Sequence, residues 1–562
     1  MELLEREREF ADLTQWLRTT ESGGCIALVG GEAGVGKTAL LQDFARQVSK
    51  VRILWGACDA LFTPRPLAPL HDIARQTQGA LLATVNSKAN RDLIFEVTLD
   101  ELARSPALVV FDDMHWADEA TLDLLKFLGR RIHRTRAMLA LTYRDDEVGP
   151  HHPLRFVIGD LPRTHTHRMT LAPLSEFAVA QLATQAQRSA KDLYAITGGN
   201  PLFVSEVLAA DGDTVPVTVR DAVLARAARL SPAAREIAEL VSVVPGKVEP
   251  WLLEQAVKTD AAAIESCLAI GMVRHEDKSL AFRHELARRA LEDSLSPIQQ
   301  LELHAKVLAA LAPRPGIPAA RLAHHAAAAS DAKQVLRYAP IAAKQAATVG
   351  AHREAVSHYR AALQHGETLS PGERARLQDE LSYELYLTGQ YEAAIDVHRS
   401  ALEYSRSSGN RIKEGDGLRW LSLLSWFAGR NADAYDYGAQ AVETLESQPP
   451  SPELAKAYCV RSDLAMESHD LEASIDWAQR AVALAERWGN DEIASDALNT
   501  LGTSRLICGD VAGWEDLRRG LELARTVGSD EQVSNAYTNL AAMAVSRRQY
   551  DDAARYLEEG LE

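Results

Sequence analysis

Eight residues limit what this chain can fold into more than any other segment. Gly31-Glu32-Ala33-Gly34-Val35-Gly36-Lys37-Thr38 fits the pattern G-x-x-x-x-G-K-[ST] at every position. Glycines at these places let backbone N–H groups turn inward around phosphate oxygens. The helix expected next, through Val48, points its N-terminal dipole at them. The pattern works only between a strand and a helix, and the apolar run Cys25–Gly30 (CIALVG) supplies the strand. A nucleoside-triphosphate site is therefore expected, with ATP and Mg²⁺ as its ligands. Gly31, Gly34, Val35, Gly36, Lys37, Thr38 and Ala39 are the candidate phosphate contacts. Lys37 is expected to bridge the β- and γ-phosphates and the Thr38 hydroxyl to ligate Mg²⁺.

The surrounding sequence agrees with an α/β domain. Val51–Gly56 (VRILWG), Ala107–Phe111 (ALVVF) and Ala137–Thr142 (AMLALT) are further short apolar runs, with another strand expected at Arg168–Leu171. Runs of this kind suit a parallel sheet covered on both faces. Ala39–Val48 and Thr121–Arg131 read as helices between them, which predicts a doubly wound domain over residues 1–173. The run Leu108–Phe111 ends in Asp112 and Asp113. A carboxylate there suits a metal ion and its neighbour a water, so Asp112 is assigned to Mg²⁺ and Asp113 to water activation. Ala137–Thr142 is followed by Tyr143-Arg144; the planar Arg144 guanidinium is a candidate γ-phosphate sensor. Arg130, Arg131, Arg134 and Arg136 read as a solvated helix end.

From about Ser175 the strand signals fade. Residues 174–215 read as a small helical lid. Residues 216–295 read as helices followed by two strands, Met272–Arg274 and Ser279–Phe282, around the turn His275–Lys278: the pattern of a winged helix. A helical connector is expected over 296–340. Over 341–562 a turn residue and an Ala-rich helix recur, in GAHREAVSHYRAAL from Gly350, GQYEAAIDVHRSAL from Gly389 and GRNADAYDYGAQAV from Gly429. Further copies lie around His469, Gly509 and Arg548. The spacing of ~39–40 residues is that of helical-hairpin, TPR-like solenoids. Such an array normally ends in a polar cap, and none is evident before Glu562, so the array is expected to continue or be covered by a partner.

Composition narrows the function classes. A net charge of −17 argues against this chain gripping nucleic acid itself. Five scattered cysteines without a C-x-x-C pair fit reduced, packed thiols in the cytoplasm, not a disulfide framework or zinc site. No apolar run has membrane-spanning length.

GEAGVGKT, LVVFDDMHWADEATLDLL, LALTYRDDEV and ITGGNPLFVSEVL, in that order, resemble the STAND class of signal-transduction ATPases. They are most similar to the large LuxR-type, MalT-like transcriptional regulators. The resemblance runs from Leu3 to about residue 350. It implies an AAA-type nucleotide-binding domain, slow hydrolysis serving a switch, and ADP in the closed state. It further implies exchange for ATP when an inducer, small molecule or protein, binds the repeats, followed by self-association. DNA binding would lie in a C-terminal domain outside these residues. Arg6, in LLERERE, becomes a candidate base or ribose contact, although Glu5 stands where the family usually has Gly. Pro201, in Gly199-Asn200-Pro201, would pack on the adenine, and His284, in Phe282-Arg283-His284, would contact the β-phosphate of ADP. Trp116 reads as packing. The rival readings are a repeat scaffold with an incidental ATPase, and a STAND module controlling a cyclase, kinase or defence enzyme.

Overall fold

The computed structural model describes residues 3–58, 65–87, 89–186, 193–209, 219–257, 260–276 and 278–561. It divides into two compact units, Met1–Gly366 and Glu367–Glu562.

The first unit is built on a five-stranded parallel sheet: β1 (Cys25–Gly30), β2 (Arg52–Ala57), β3 (Ala107–Asp112), β4 (Ala137–Thr142) and β5 (Thr166–Thr170), in the order β2-β3-β4-β1-β5. The three central strands β1, β3 and β4 are buried at every position, as their continuous apolar sequences require. The edge strand β5 reads THRMT and is only partly covered. It pairs Ile26 with Thr166 and Gly30 with Thr170, so it starts two residues before the expected Arg168. An edge strand has one unpaired side and less apolar cover, which weakens its signature in sequence.

Helix Lys37–Gln47 follows β1, and its Leu40, Leu41 and Phe44 pack with Ala27, Val29, Val110 and Ala140 of the sheet. Leu13 of helix Glu7–Thr19 joins the same core. Helices Ala68–Thr77, Ala80–Asn86 and Arg91–Ala103 fill the connection from β2 to β3, where the periodicity reading placed none. Among the described residues, no helix is long and apolar enough to cross a membrane.

Past the sheet come short helices, including Glu176–Gln185 and Pro201–Ala209, whose Val179, Val204 and Val207 form a small core with Leu174. The boundary expected at 215–216 lies outside the described residues. A three-stranded antiparallel sheet follows, with β6 (Lys247–Val248), β7 (Val273–Glu276) and β8 (Ser279–Phe282) in the order β6-β8-β7. The hairpin β7–β8 matches the expected strands to within a residue or two, and β6 is an additional two-residue strand. Helix Glu285–Glu292 leaves β8. Helices Pro297–Leu311, Ala319–Ala328, Ala332–Thr348 and His352–Gln364 complete the unit. The boundary expected at 340–341 falls inside helix Ala332–Thr348, which carries Pro340 in its interior.

Among its described residues the second unit holds ten α-helices, from Pro371–Leu387 to Tyr550–Leu561, with consecutive helices joined by tight turns. The turn residues Gly389 and Gly429 hold φ of 72° and 74°. His469 and Arg548 take the same left-handed conformation at the equivalent turns, at φ 62° and 60°. The register of the first three hairpins carries a buried serine. Ser382, Ser422 and Ser462 each donate to the carbonyl twelve residues later, on Ala394, Ala434 and Ser474, at 3.1, 2.6 and 2.9 Å. These serines recur about every 40 residues, in step with the turns.

Candidate functional site

Gly36 ends the phosphate loop in the left-handed region, at φ 102°, and Lys37 starts the helix, leaving that helix's first N–H groups without intrahelical partners. Gly34 holds φ 80°, and a side chain there would meet Leu202 Cβ at 2.8 Å and Asn200 Oδ1 at 2.9 Å. Glycine is needed at this point for both reasons. The contact is part of a seat: Asn200 Nδ2 donates to the Ala33 carbonyl at 2.8 Å, and the Leu202 N–H to the Gly34 carbonyl at 3.2 Å. Lys37 is buried and donates to the carbonyls of Gly31 and Glu32 at 2.6 and 2.9 Å. Burial lowers its pKa, against the opposing charge of Asp113. Val35 is buried in the sheet core, and Ala39 is exposed on the first turn of the helix.

The order of the sheet puts β4 between β1 and β3, so the ends of three strands meet. Asp112, at the end of β3, accepts on Oδ1 from the Thr38 hydroxyl at 3.1 Å and the Thr142 hydroxyl at 2.5 Å. Thr142 also accepts the N–H of Asp113 at 2.8 Å. This last residue of β4 is fully buried and holds both acids in place. It was not singled out from sequence; its signal is a hydroxyl ending an otherwise apolar strand, level with the acids of the neighbouring strand. Burial pushes the Asp112 carboxyl up, opposed by the hydroxyls of Thr142 and Thr38 and by Lys37. Burial and then the adjacent Asp112 charge raise Asp113 to about 7. Asp113 itself turns the chain with φ 56°.

Arg144 is buried just past β4 and ion-pairs with Glu147, not with Asp145 or Asp146. Its guanidinium lies 4.7 Å from the centre of the Trp116 ring, and Arg289 lies 5.3 Å from the same ring. Trp116 thus carries two cations, one from the sheet and one from helix Glu285–Glu292. Glu285, a turn before Arg289 on that helix, acts on Asp113 through its charge. Neither Glu285 nor Arg289 stands out in the sequence, because nothing local marks which face of that helix meets the sheet. The His115 ring is fully buried, its nitrogens 3.8 Å from Asp113 and 3.7 Å from Glu147. Burial, then Arg144 and Lys37, drive its pKa down to about 2. Arg131, in the basic cluster, stacks on Phe127 at 4.2 Å.

Three further candidates have other neighbours. Arg6 spends its guanidinium on the carbonyls of Val35 at 3.3 Å and Ala172 at 2.7 Å, clasping the phosphate loop to the exit from β5. Glu5, the residue before it, accepts from the Ser175 N–H at 2.8 Å with φ 56°. Pro201 is half-buried at the start of its helix, and its neighbours Asn200 and Leu202 make the loop contacts. His284 precedes helix Glu285–Glu292; burial and the charges of Arg283, Arg274 and Arg226 lower its pKa to about 4. The residues brought together are Lys37, Thr38, Asp112, Asp113, Thr142 and Arg144. A hydroxyl and a carboxylate sharing a contact, beside a glycine loop at a helix N-terminus, form a donor set that fits a nucleotide phosphate and a hard, oxygen-ligated cation.

Residues 2–141 match the family model of the AAA ATPase domain. The N-terminal part of this chain is accordingly a parallel α/β nucleotide-binding domain, followed by a mostly helical repeat region. An uncharacterized protein of Rhizobium meliloti (strain 1021) is 22% identical over 536 residues, covering 80% of this chain and 52% of that protein. The chain thus spans about half the length of the curated relative it matches. Among solved structures, a signal transduction ATPase with numerous domains and a tetratricopeptide repeat sensor from Pyrococcus horikoshii aligns at a TM-score of 0.45. It shares 16% identity over 99% of this chain and 82% of that one. A Rap protein complexed with competence and sporulation factor aligns at a TM-score of 0.35, with 12% identity over 58% of this chain and 97% of that one.

Proposed function

We propose that this chain is a STAND-type switch that binds ATP or ADP with Mg²⁺ and hydrolyses ATP slowly. One observation carries the reading. The phosphate site is built from the loop and strand ends, yet it is also touched by two segments far along the chain. Asn200 and Leu202 seat the loop, and Arg289 lies over the same Trp116 ring as Arg144. A nucleotide site reached by separate modules can convert phosphate charge into a change in how those modules pack, a two-state equilibrium biased by differential affinity. Thr38 and Asp112 would hold the cation, which supplies charge neutralisation at the phosphates. Asp113 would orient water and Arg144 would read the γ-phosphate. Arg6, Pro201 and His284 would line the base and β-phosphate side. The module carrying β6, β7 and β8 would be a winged helix working inside the switch.

A second contact supports the coupling. The N-termini of helices Glu119–Arg131 and His352–Gln364 cap each other. Glu119 accepts the Arg353 N–H at 3.0 Å, and Glu354 accepts the Glu119 N–H at 3.3 Å. The first helix follows the acid pair of β3, and the second carries the first repeat-like segment. In the second unit, Tyr383, Tyr386, Trp420 and Phe427 form a chain of rings 5.1–5.9 Å apart, with Tyr383 and Phe427 well exposed. That surface suits an inducer. Self-association and transcriptional control of the LuxR type complete the reading, on the order of the motifs. Reading the gene beyond codon 562 tests the output: a basic helix-turn-helix segment supports it, and a catalytic domain replaces it with a cyclase, kinase or defence effector.

Lys37→Ala should abolish ATP binding measured by equilibrium dialysis, and undiminished binding would overturn the central assignment. Asp113→Asn should keep ATP but slow hydrolysis by about 10²-fold or more, the scale of a lost general base. An unchanged rate removes the water-activating role.

A further inference from the structure

Three histidines in the first unit form a cluster that the nucleotide site does not use. His304 lies on helix Pro297–Leu311, and His324 and His325 lie on helix Ala319–Ala328. One ring nitrogen from each lies within 4.8 Å of the others. The ring centres are 5.7 Å apart for His304 and His324, 5.1 Å for His304 and His325, and 5.0 Å for His324 and His325.

That triangle can be compared with a metal site. Zinc–nitrogen bonds of about 2.0–2.1 Å put each imidazole centre roughly 3.2 Å from the ion, and a tetrahedral arrangement then separates the centres by about 5.2 Å. The observed triangle has this size. Nδ1 of His304 and Nδ1 of His325 meet at 2.9 Å, which needs only a few tenths of an ångström of opening to reach the tetrahedral edge of about 3.3 Å.

The surroundings also suit a cation. His304 and His325 are buried, and His325 Nε2 has no hydrogen-bond partner among the described residues. The arginines whose charges act on the cluster are already neutralised. Arg288 is paired with Glu285 and Glu292 at 2.7 Å each, and Arg321 with both carboxylate oxygens of Glu249 at 2.7 and 2.9 Å. Arg289 shares Glu285 at 3.3 Å, so each guanidinium near the cluster is held by a carboxylate.

We propose that His304, His324 and His325 bind a divalent transition-metal ion of the zinc type, with a fourth position open on the side of half-buried His324. The ion ties helix Pro297–Leu311 to helix Ala319–Ala328, directly behind Arg288 of the helix whose Arg289 reaches the nucleotide site.

The test uses the full chain without an affinity tag, stripped with chelator and kept free of nucleotide. One equivalent of Zn²⁺ should be retained after desalting. Co²⁺ should give the visible absorption of a low-coordinate, nitrogen-ligated ion. Loss of a single outer-sphere partner typically costs about 10–100-fold in affinity, so His324→Gln, at the accessible ligand, should weaken Zn²⁺ by at least about 100-fold. The circular dichroism of that variant should be unchanged. Retention of no zinc, a thiolate-to-cobalt band, or undiminished affinity in His324→Gln would each overturn the site. The cobalt spectrum of the unaltered protein decides the matter if the variant fails to fold.

Discussion

The nucleotide-binding module and the second unit reach stability by opposite routes. In the first, each contact occurs once. Thr142 bridges Asp112 and Asp113, and Asn200 ties the Gly199–Leu202 segment to Ala33. In the second, one device is used again and again, a buried serine bonded to the facing helix at Ser382, Ser422 and Ser462. At the equivalent place in the next hairpin the serine is replaced by a closer approach. A side chain on Gly502 would meet the Gly513 carbonyl at 2.6 Å. A site that binds one ligand needs unrepeatable geometry. A solenoid needs only that neighbouring hairpins agree, so its stability is roughly a sum over repeats.

This contrast can be broken by mutation. Next to Lys37→Ala, the largest effect is expected at Gly502→Leu. The leucine has nowhere to go between two backbones, and the loss should reach about 3 kcal/mol or more in urea unfolding. A stable variant would mean the hairpins can separate freely. Thr142→Val is nearly isosteric but removes the hydroxyl shared by both acids. It should cost about 1–3 kcal/mol for the unsatisfied buried groups and weaken Mg²⁺-dependent ATP binding with it. If ATP affinity held while stability fell, Thr142 would belong to the core and not to the site. Ser422→Ala should be mildest, about 1 kcal/mol in urea unfolding with ATP affinity unchanged. A loss as large as that of Gly502→Leu would show that the repeats do not share their load.

Part of this arrangement is legible in one dimension. The strands β1, β3 and β4 and the phosphate loop were readable because each is a local pattern: a buried strand is a short apolar run, and the loop needs its glycines at set intervals. The repeat turns were readable for the same reason, even where His469 and Arg548 stand in place of glycine. Helix Arg91–Ala103 was not, since it buries Thr98 and Glu101 along with Ile94 and Leu99 and shows no clean stripe. The contacts of Arg6 were not legible either, because its guanidinium meets two backbone carbonyls, those of Val35 and Ala172, which only folding brings near.

The chain's own order of residues determined the phosphate loop, the acids at the end of β3 and the helical period of the repeats, because these depend on backbone conformation and on neighbours a few residues away. Tertiary structure alone decided that Thr142 joins Asp112, that Arg289 shares Trp116 with Arg144, and that His304 meets His324 and His325. Each of those depends on which strand lies beside which, or on which face a helix turns inward. The free energy that sets those choices comes from burying whole surfaces, which no short segment records.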